Sequence, residues 1–372
     1  MVTVVPHASI RSVRTICYAQ PMVPIHTGRF AGDLELTLTI VESADGRCGY
    51  STARAHGGQP GMVIAAQVER SLAAGVIGRD ASDPAALWTQ MAMQEPAGYV
   101  STFAIAALDV ALWDLHARER SRPLAHCLGG GGRDAMRAYA SSGHHADIDG
   151  YLDDFARARA AGFTAYKAHP FCDAARDIEL ARALRAAAGP GFRLMLDAAK
   201  RYTPEGALSV GRVLEDLAFH WFEEPLPQHD WAGYRSLRQA LSIPVIGGET
   251  LPGLAPAVAN AIDAGAYAAV LVDVYWKGGV SGLLRTLALC RERGVQVVSH
   301  HGASPLMDLA NLQVLCGASE VEMIEVLSPQ SAYQYGLREY LRVDADGQVR
   351  LPAAAGLGAE PDWDYIEKHR RS

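Results

Sequence analysis

No window of this sequence approaches the roughly 20 apolar residues that a membrane-spanning helix needs. The first residues, MVTVVPHASIRSVRT, hold only a short apolar run broken by Pro6 and His7, too short for the hydrophobic region of a signal peptide. Cysteine is sparse. Cys17, Cys48, Cys127, Cys172, Cys290 and Cys316 show no paired spacing and no Cys-x-x-Cys, which argues against a disulfide framework or a zinc knuckle and fits a reducing cytoplasm. Basic charge is not in excess either: 34 Lys and Arg against 41 Asp and Glu leave a formal charge of −7, so nucleic acid and anionic membrane are poor partners. Gly129 to Gly132 form a glycine run, yet no strand feeds it and no G-K-[ST] follows, so it reads as a connector and not as a phosphate loop.

What the chain has instead is acid at regular intervals. Apolar runs end in a carboxylate at LMLDA (Asp197), HWFEEP (Glu223) and PVIGGET (Glu249), 26 residues apart each time. That is about the length of one strand, one helix and their loops, which puts each acid at the C-terminal end of a successive parallel strand. Three like charges on one rim repel unless a cation sits among them, and an all-oxygen donor set favours Mg2+ over zinc. Glu224 is the neighbouring alternative to Glu223, but only Glu223 keeps the 26-residue interval on both sides.

Around this triplet the chain divides by texture. From Ile10 to about Tyr50 the alternation of LELTLTI and the turn Ala44-Asp45-Gly46 predict a small antiparallel meander. Gln20 to Asp33 and Ser51 to Gly61 read as mobile loops, and helical periodicity follows at 62 to 75 and at 101 to 118, where FAIAALDVALWDLHA is apolar almost all round. Residues 1–125 are therefore an α+β unit. From Arg137 eight short apolar runs alternate with amphipathic helices, near 137–140, 165–168, 194–197, 221–223, 245–248, 268–273, 295–299 and 323–325. Eight parallel strands with their crossovers make a (β/α)8 barrel of the TIM type over residues 126–328. An open doubly wound sheet would carry a glycine fingerprint after its first strand, and none stands there. Residues 329–372 are polar and turn-rich, with one strand-turn-strand signal at LRVDADGQVRL, and are expected to pack back on the first unit.

Strand C-termini share one face of such a barrel, so their residues form a candidate site. Strand two ends in Tyr166-Lys167-Ala168-His169, whose spacing puts Lys167 and His169 on one side. Strand six ends at Asp273, strand seven at His300-His301 and strand eight at Glu325. A cation flanked by a Lys/His pair and an Asp/His pair suits removal of a proton beside a carboxylate. Ser141 and Tyr139 on strand one, and Trp276 and Lys277 after strand six, are further rim positions for substrate. Gly278, Gly279 and Gly282 fit helix entry as well as phosphate binding.

In this combination the chain resembles the mandelate racemase-like branch of the enolase superfamily, over nearly its whole length. The resemblance rests on the Asp197, Glu223, Glu249 triplet, the Asp273-x4-Gly278-Gly279 pattern and His300 placed 27 residues after Asp273. It implies that residues 1–125 cap the barrel, completed by the C-terminal tail, and that the three acids bind Mg2+. It further implies that Asp273 orients His300 and raises its basicity, that Lys167 polarises the substrate carboxylate, that Glu325 hydrogen-bonds substrate oxygen, and that the protein forms a homo-oligomer. The spacing from Asp273 favours His300 over His301 as the base. Two departures stand out. Relatives commonly carry Lys-x-Lys where this chain has Lys167-Ala168-His169, which leaves His169 either a base or a substrate contact, and Ala199 replaces a common Asn.

The reaction class that follows is abstraction of the proton α to a carboxylate. The loops supply His26, Arg29, Arg54 and His56, polar groups suited to a hydroxylated substrate, with His26 and His56 as candidate substrate contacts. Dehydration of an acid sugar to a 2-keto-3-deoxy acid is the favoured outcome. Racemisation, epimerisation or cycloisomerisation of a hydroxylated acid is the alternative. A non-catalytic sugar-acid binding protein would lack the acids or the dyad, and a metal-dependent aldolase would not need the Asp273/His300 pair.

Overall fold

The computed structural model describes residues 9–21, 33–54, 59–96, 98–129 and 132–371. Strands β1 (Ile10–Pro21), β2 (Asp33–Ser43) and β3 (Cys48–Arg54) form the expected antiparallel meander, with Tyr18 opposite Leu36 and Leu38 opposite Thr52. Both faces of this sheet are covered. One lies under the helix Thr102–Glu119, and the other packs Ile16, Tyr18, Leu36 and Leu38 against Tyr335 and Ile366 from the tail. The helix starts where Ser101 Oγ accepts from Ala104 N, and it is buried from Ala104 to Ala117 because sheet, barrel and tail all press on it.

Two buried acids on that helix make the junctions. Asp114 accepts from Tyr50 N at 2.8 Å, Leu357 N at 2.7 Å and Arg118 Nε at 2.7 Å, joining meander, helix and tail. Asp109 accepts from Ser281 N at 2.9 Å and Ser281 Oγ at 2.8 Å on the barrel helix Val280–Glu292. Gly279 must stay a glycine there: its φ is +99°, and a Cβ would meet Asp109 at 2.3 Å.

The barrel strands are β4 (Ala135–Ser141), β5 (Ala165–Ala168), β6 (Arg193–Asp197), β7 (Trp221–Glu223), β8 (Val245–Ile246), β9 (Ala269–Val272), β10 (Gln296–Ser299) and β11 (Met323–Leu327). They run parallel in chain order from β4 to β8, a bridge from Gly247 to Val270 leads to β9 and β10, and β11 pairs with β4. Tyr139, Met195, Trp221, Ile246, Leu271 and Met323 fill the interior. This is the expected (β/α)8 architecture with an N-terminal α+β unit.

Three local expectations change. The segments 20–33 and 51–61 are not loops throughout: β1 runs to Pro21, β2 starts at Asp33 and β3 continues to Arg54, because main-chain pairing extends past the apolar alternation. A helix at Pro84–Ala92, capped by Asp83, lies between the two expected ones. The tail divides its contacts. Its hairpin signal becomes β12 (Gln348–Arg350), which pairs antiparallel with barrel strand β4, while the helix Trp363–Lys368 packs on the meander. Gly130 and Gly131 of the glycine run lie outside the described residues. Among the described residues no helix is long and apolar enough to cross a membrane.

Candidate active site

The acid-bearing strand ends meet on one rim because parallel strands in register present equivalent residues at one level. Asp197 and Glu223 are direct register partners on β6 and β7. Ser141 stands opposite Lys167, and Tyr139 opposite Glu325. Glu249 keeps the sequence interval but lies beyond β8, past Gly247 and Gly248, with its side chain 18% exposed. The chain turns sharply beside each acid: φ is positive at Ala199 and Lys200 after Asp197, at Glu224 after Glu223, and at Gly248 before Glu249.

Lys167 sits at the centre, fully buried, with Nζ 2.7 Å from Glu223 Oε1, 2.9 Å from Glu325 Oε1 and 3.6 Å from Asp197 Oδ2. Burial opposes its charge, yet those carboxylates raise its pKa well above the usual lysine range. Glu223 is pushed well above the usual carboxylate range, first by burial and then by Asp197 and Glu325, although Lys167 pulls the other way. Glu325 is held at about 2, because Lys167 and His300 overcome its burial. Three carboxylates thus share the single ammonium of Lys167.

His169 lies beside this cluster, with Nε2 3.0 Å from Asp197 Oδ2 and Nδ1 2.6 Å from Ser142 O. Asp197 is held well below its ordinary range, since His169 and Lys167 outweigh burial. Across the rim, His300 Nδ1 is 3.0 Å from Asp273 Oδ2, and its Nε2 is 3.4 Å from Glu249 Oε1. Asp273 Oδ1 takes the N–H groups of Tyr275 at 2.6 Å and Trp276 at 2.7 Å, leaving Oδ2 to orient the imidazole. Burial works against protonation of His300, but Glu249 and Asp273 lift its pKa to about 10. His301 is turned away: its N–H donates to Glu325 Oε2 at 2.9 Å, and its Nδ1 accepts from Ala303 N at 3.0 Å.

Other expected rim residues are used elsewhere. Tyr139 donates its hydroxyl to Ser299 O at 2.6 Å inside the barrel. Lys277 is buried and donates to Gly248 O at 2.6 Å and Glu249 O at 2.8 Å, so it holds the main chain of an acid. Trp276 packs edge-on against Phe103, partly buried. Ser141 is buried at the end of β4. Arg54 ends β3, while His26, Arg29 and His56 lie outside the described residues.

Some contributors escaped the sequence reading. Lys200 Nζ lies 2.7 Å from Glu224 Oε2 and 3.9 Å from Glu249 Oε2. Glu224 in turn accepts from Gly248 N at 3.0 Å and Glu249 N at 3.2 Å, which makes it a brace for Glu249. Asn311 donates to His300 O at 2.9 Å and accepts from Val274 N at 2.7 Å, tying the two dyad strands together. His144, bonded to Pro170 O at 3.0 Å, stands 5.8 Å ring to ring from His169, and burial followed by His169 lowers it to about 4. Lys200 was legible as a charged residue just past a strand end; Asn311 sits mid-helix with no such signal.

Asp197, Glu223 and Glu249 offer only oxygen donors, and three carboxylates at successive strand ends of one rim are what a hard dication would offset. In this structure their oxygens lean onto Lys167, His169, Lys200 and His300, and among the described residues no three acidic, His or Cys side chains converge closely enough to hold a metal ion. The donor chemistry and charge fit magnesium, and binding would require these side chains to exchange partners.

Residues 10–129 match the family described as Mandelate racemase / muconate lactonizing enzyme, N-terminal domain, and residues 151–365 match Enolase C-terminal domain-like. The chain is similar to the D-galactarolactone cycloisomerase of Agrobacterium fabrum, 30% identical over 284 residues that cover 73% of this chain and 75% of that one. It is also similar to the L-talarate/galactarate dehydratase of Salmonella typhimurium, 30% identical over 348 residues that cover 89% and 82%. Among solved structures, D-glucarate dehydratase from Agrobacterium tumefaciens complexed with magnesium superposes with a TM-score of 0.88 at 26% identity, over 99% of this chain and 100% of that one.

Proposed function

This chain belongs to the mandelate racemase / muconate lactonizing enzyme family of the enolase superfamily, and from that premise we propose that it is a magnesium-dependent acid-sugar dehydratase. The observation that carries the reading is the pairing of a His300–Asp273 dyad with three rim carboxylates on one barrel face. Asp197, Glu223 and Glu249 would hold Mg2+, which when bound offsets the charge that builds on the substrate carboxylate as the α-proton leaves.

The chain's own residues do the rest. Asp273 fixes one proton of His300 on Nδ1; with Glu249 turned from Nε2 to the cation it would hold, the imidazole would lose its second proton, and Nε2, facing the rim, takes the α-proton. The β carbon–oxygen bond then breaks, the hydroxyl leaves as water with the proton His300 returns, and the enol tautomerises to a 2-keto-3-deoxy acid. Lys167 holds a permanent positive charge beside the substrate carboxylate, and Glu325 receives a substrate hydrogen bond. Ser141, Trp276, His26 and His56 are the proposed substrate contacts. Residues 1–125 serve as the cap, 126–328 as the catalytic barrel and 329–372 as the segment that completes the cap, in a cytoplasmic homo-oligomer.

A second reading, racemase, epimerase or cycloisomerase, is favoured by His169, a second imidazole on the opposite side of the acids. One experiment separates the two. Acid sugars are incubated with enzyme and Mg2+ in D2O, and 2-keto acid and deuterium incorporation are followed together. Dehydration predicts 2-keto acid carrying solvent deuterium at C3. Deuterium at the α-carbon of recovered acid without keto acid overturns dehydration in favour of isomerisation, and neither keto acid nor α-deuterium from any acid sugar overturns the enolisation chemistry itself.

A further inference from the structure

One charged side chain beside the site has no counterpart among the described residues. Arg54 ends β3, and two sets of bonds fix that strand end to the loops that carry the dyad. Tyr275, whose N–H binds Asp273, donates its hydroxyl to Arg54 O. Ser304, four residues past His300, donates to Thr52 O at 2.8 Å, and its Oγ also lies 2.8 Å from Thr52 Oγ1. The guanidinium itself is partly buried, and its Nε is fully buried without an acceptor. Among the described residues it makes no ion pair and no side-chain hydrogen bond.

That is unusual within this protein. Arg118, similarly enclosed, pairs with Asp114 and Glu360, and Arg185 donates to four main-chain carbonyls. A guanidinium taken from water without an acceptor is costly, and its planar fork matches a carboxylate. Asp308, an acid that senses Arg54, does not fill the role. Asp308 feels the positive charge of Arg54, but burial holds its carboxyl up near 7 and its Oδ1 is engaged by Gly302 N at 2.6 Å. Asp308 and Tyr333 also feel Glu325, with which they line one cavity, so Arg54 and the catalytic rim act on the same side chains.

We propose that Arg54 binds the far carboxylate of a substrate with an acid group at each end, which makes the substrate class aldaric rather than aldonic acids. This rests on the acid-sugar reading: Lys167, with the cation the rim acids would hold, serves the reacting carboxylate, and Arg54, at the end of the cap strand bonded to the dyad loops, engages the other. The diacid supplies the anion the guanidinium lacks.

The test compares a diacid and a monoacid of one configuration, galactarate and galactonate, on the Mg2+-loaded enzyme. Binding is measured by calorimetry, and turnover by 2-keto acid formation together with deuterium exchange in D2O. The wild type is expected to favour the diacid, and Arg54→Met to lose about 100-fold in diacid kcat/KM, carried by KM, with the monoacid little changed. Arg54→Lys should recover part of the loss. Equal binding of the two acids by the wild type overturns the proposal, as does an equal loss for both acids in Arg54→Met. Because binding is read separately, preferential diacid binding without exchange from either acid would count against the enolisation reading while leaving Arg54 in its assigned role.

Discussion

His300 and Asp273 are 27 residues apart in the chain and 3.0 Å apart in the fold, with both oxygens of Asp273 committed. At this scale the proposed choice of His300 as base rests on where each ring nitrogen points. His301 spends its main-chain N–H on Glu325 and its Nδ1 on Ala303, whereas His300 keeps Nε2 toward the rim. His300→Asn is therefore expected to lower kcat by about 10³-fold or more, with α-deuterium exchange falling in parallel. Mg2+ affinity, read by calorimetry, should stay within a few-fold. Preserved exchange in that variant would move the base to Lys167, His169 or His301.

Among the elements, the helix Thr102–Glu119 shows how burial and charge are reconciled. Its apolar surface packs on the meander and the barrel, and Asp109 is the polar tie to the helix Val280–Glu292. Burial raises the Asp109 carboxyl from its ordinary 3.8 to about 7, against the pull of its bonds to Ser281. Between those values the folded protein keeps a proton that the unfolded chain releases, so the stabilisation is full below pH 3.8 and is lost as pH rises to about 7. Asp109→Asn retains a hydrogen-bonding side chain and removes the titration. Its stability relative to the wild type should rise from about pH 5 to about pH 8, by on the order of 2 kcal/mol in thermal or urea unfolding. A difference that stays flat with pH would show that Asp109 is not the group responsible.

For the whole molecule, the acids proposed to hold Mg2+ stand at or just past the ends of strands β6 to β8, so metal binding would be coupled to the stability of the barrel. Mg2+ added to metal-free protein is expected to raise Tm, adding about 1.4 kcal/mol for each tenfold of free Mg2+ above Kd. Glu249→Gln should lose most of that increment. It removes the acid that stands beyond its strand and is the most exposed of the three. A Tm indifferent to Mg2+ in the wild type would overturn the assignment of these acids as ligands.

The alternation of apolar runs, the strand-end positions of Asp197, Glu223 and Glu249, and the Lys167-Ala168-His169 spacing are local properties of the chain. Sequence by itself therefore determined the barrel, the meander and the identity of the rim residues. Periodicity dictates which face a residue presents, and chain length between strands dictates where the next one returns. Tertiary packing alone decided the partners. Lys200 bracing Glu224, Asn311 joining the dyad strands and Arg54 left without an anion among the described residues each depend on segments distant in the chain. The tail hairpin chose β4 for the same reason: an unpaired strand edge is satisfied by whatever edge the fold brings beside it, and the hairpin's own residues do not encode which.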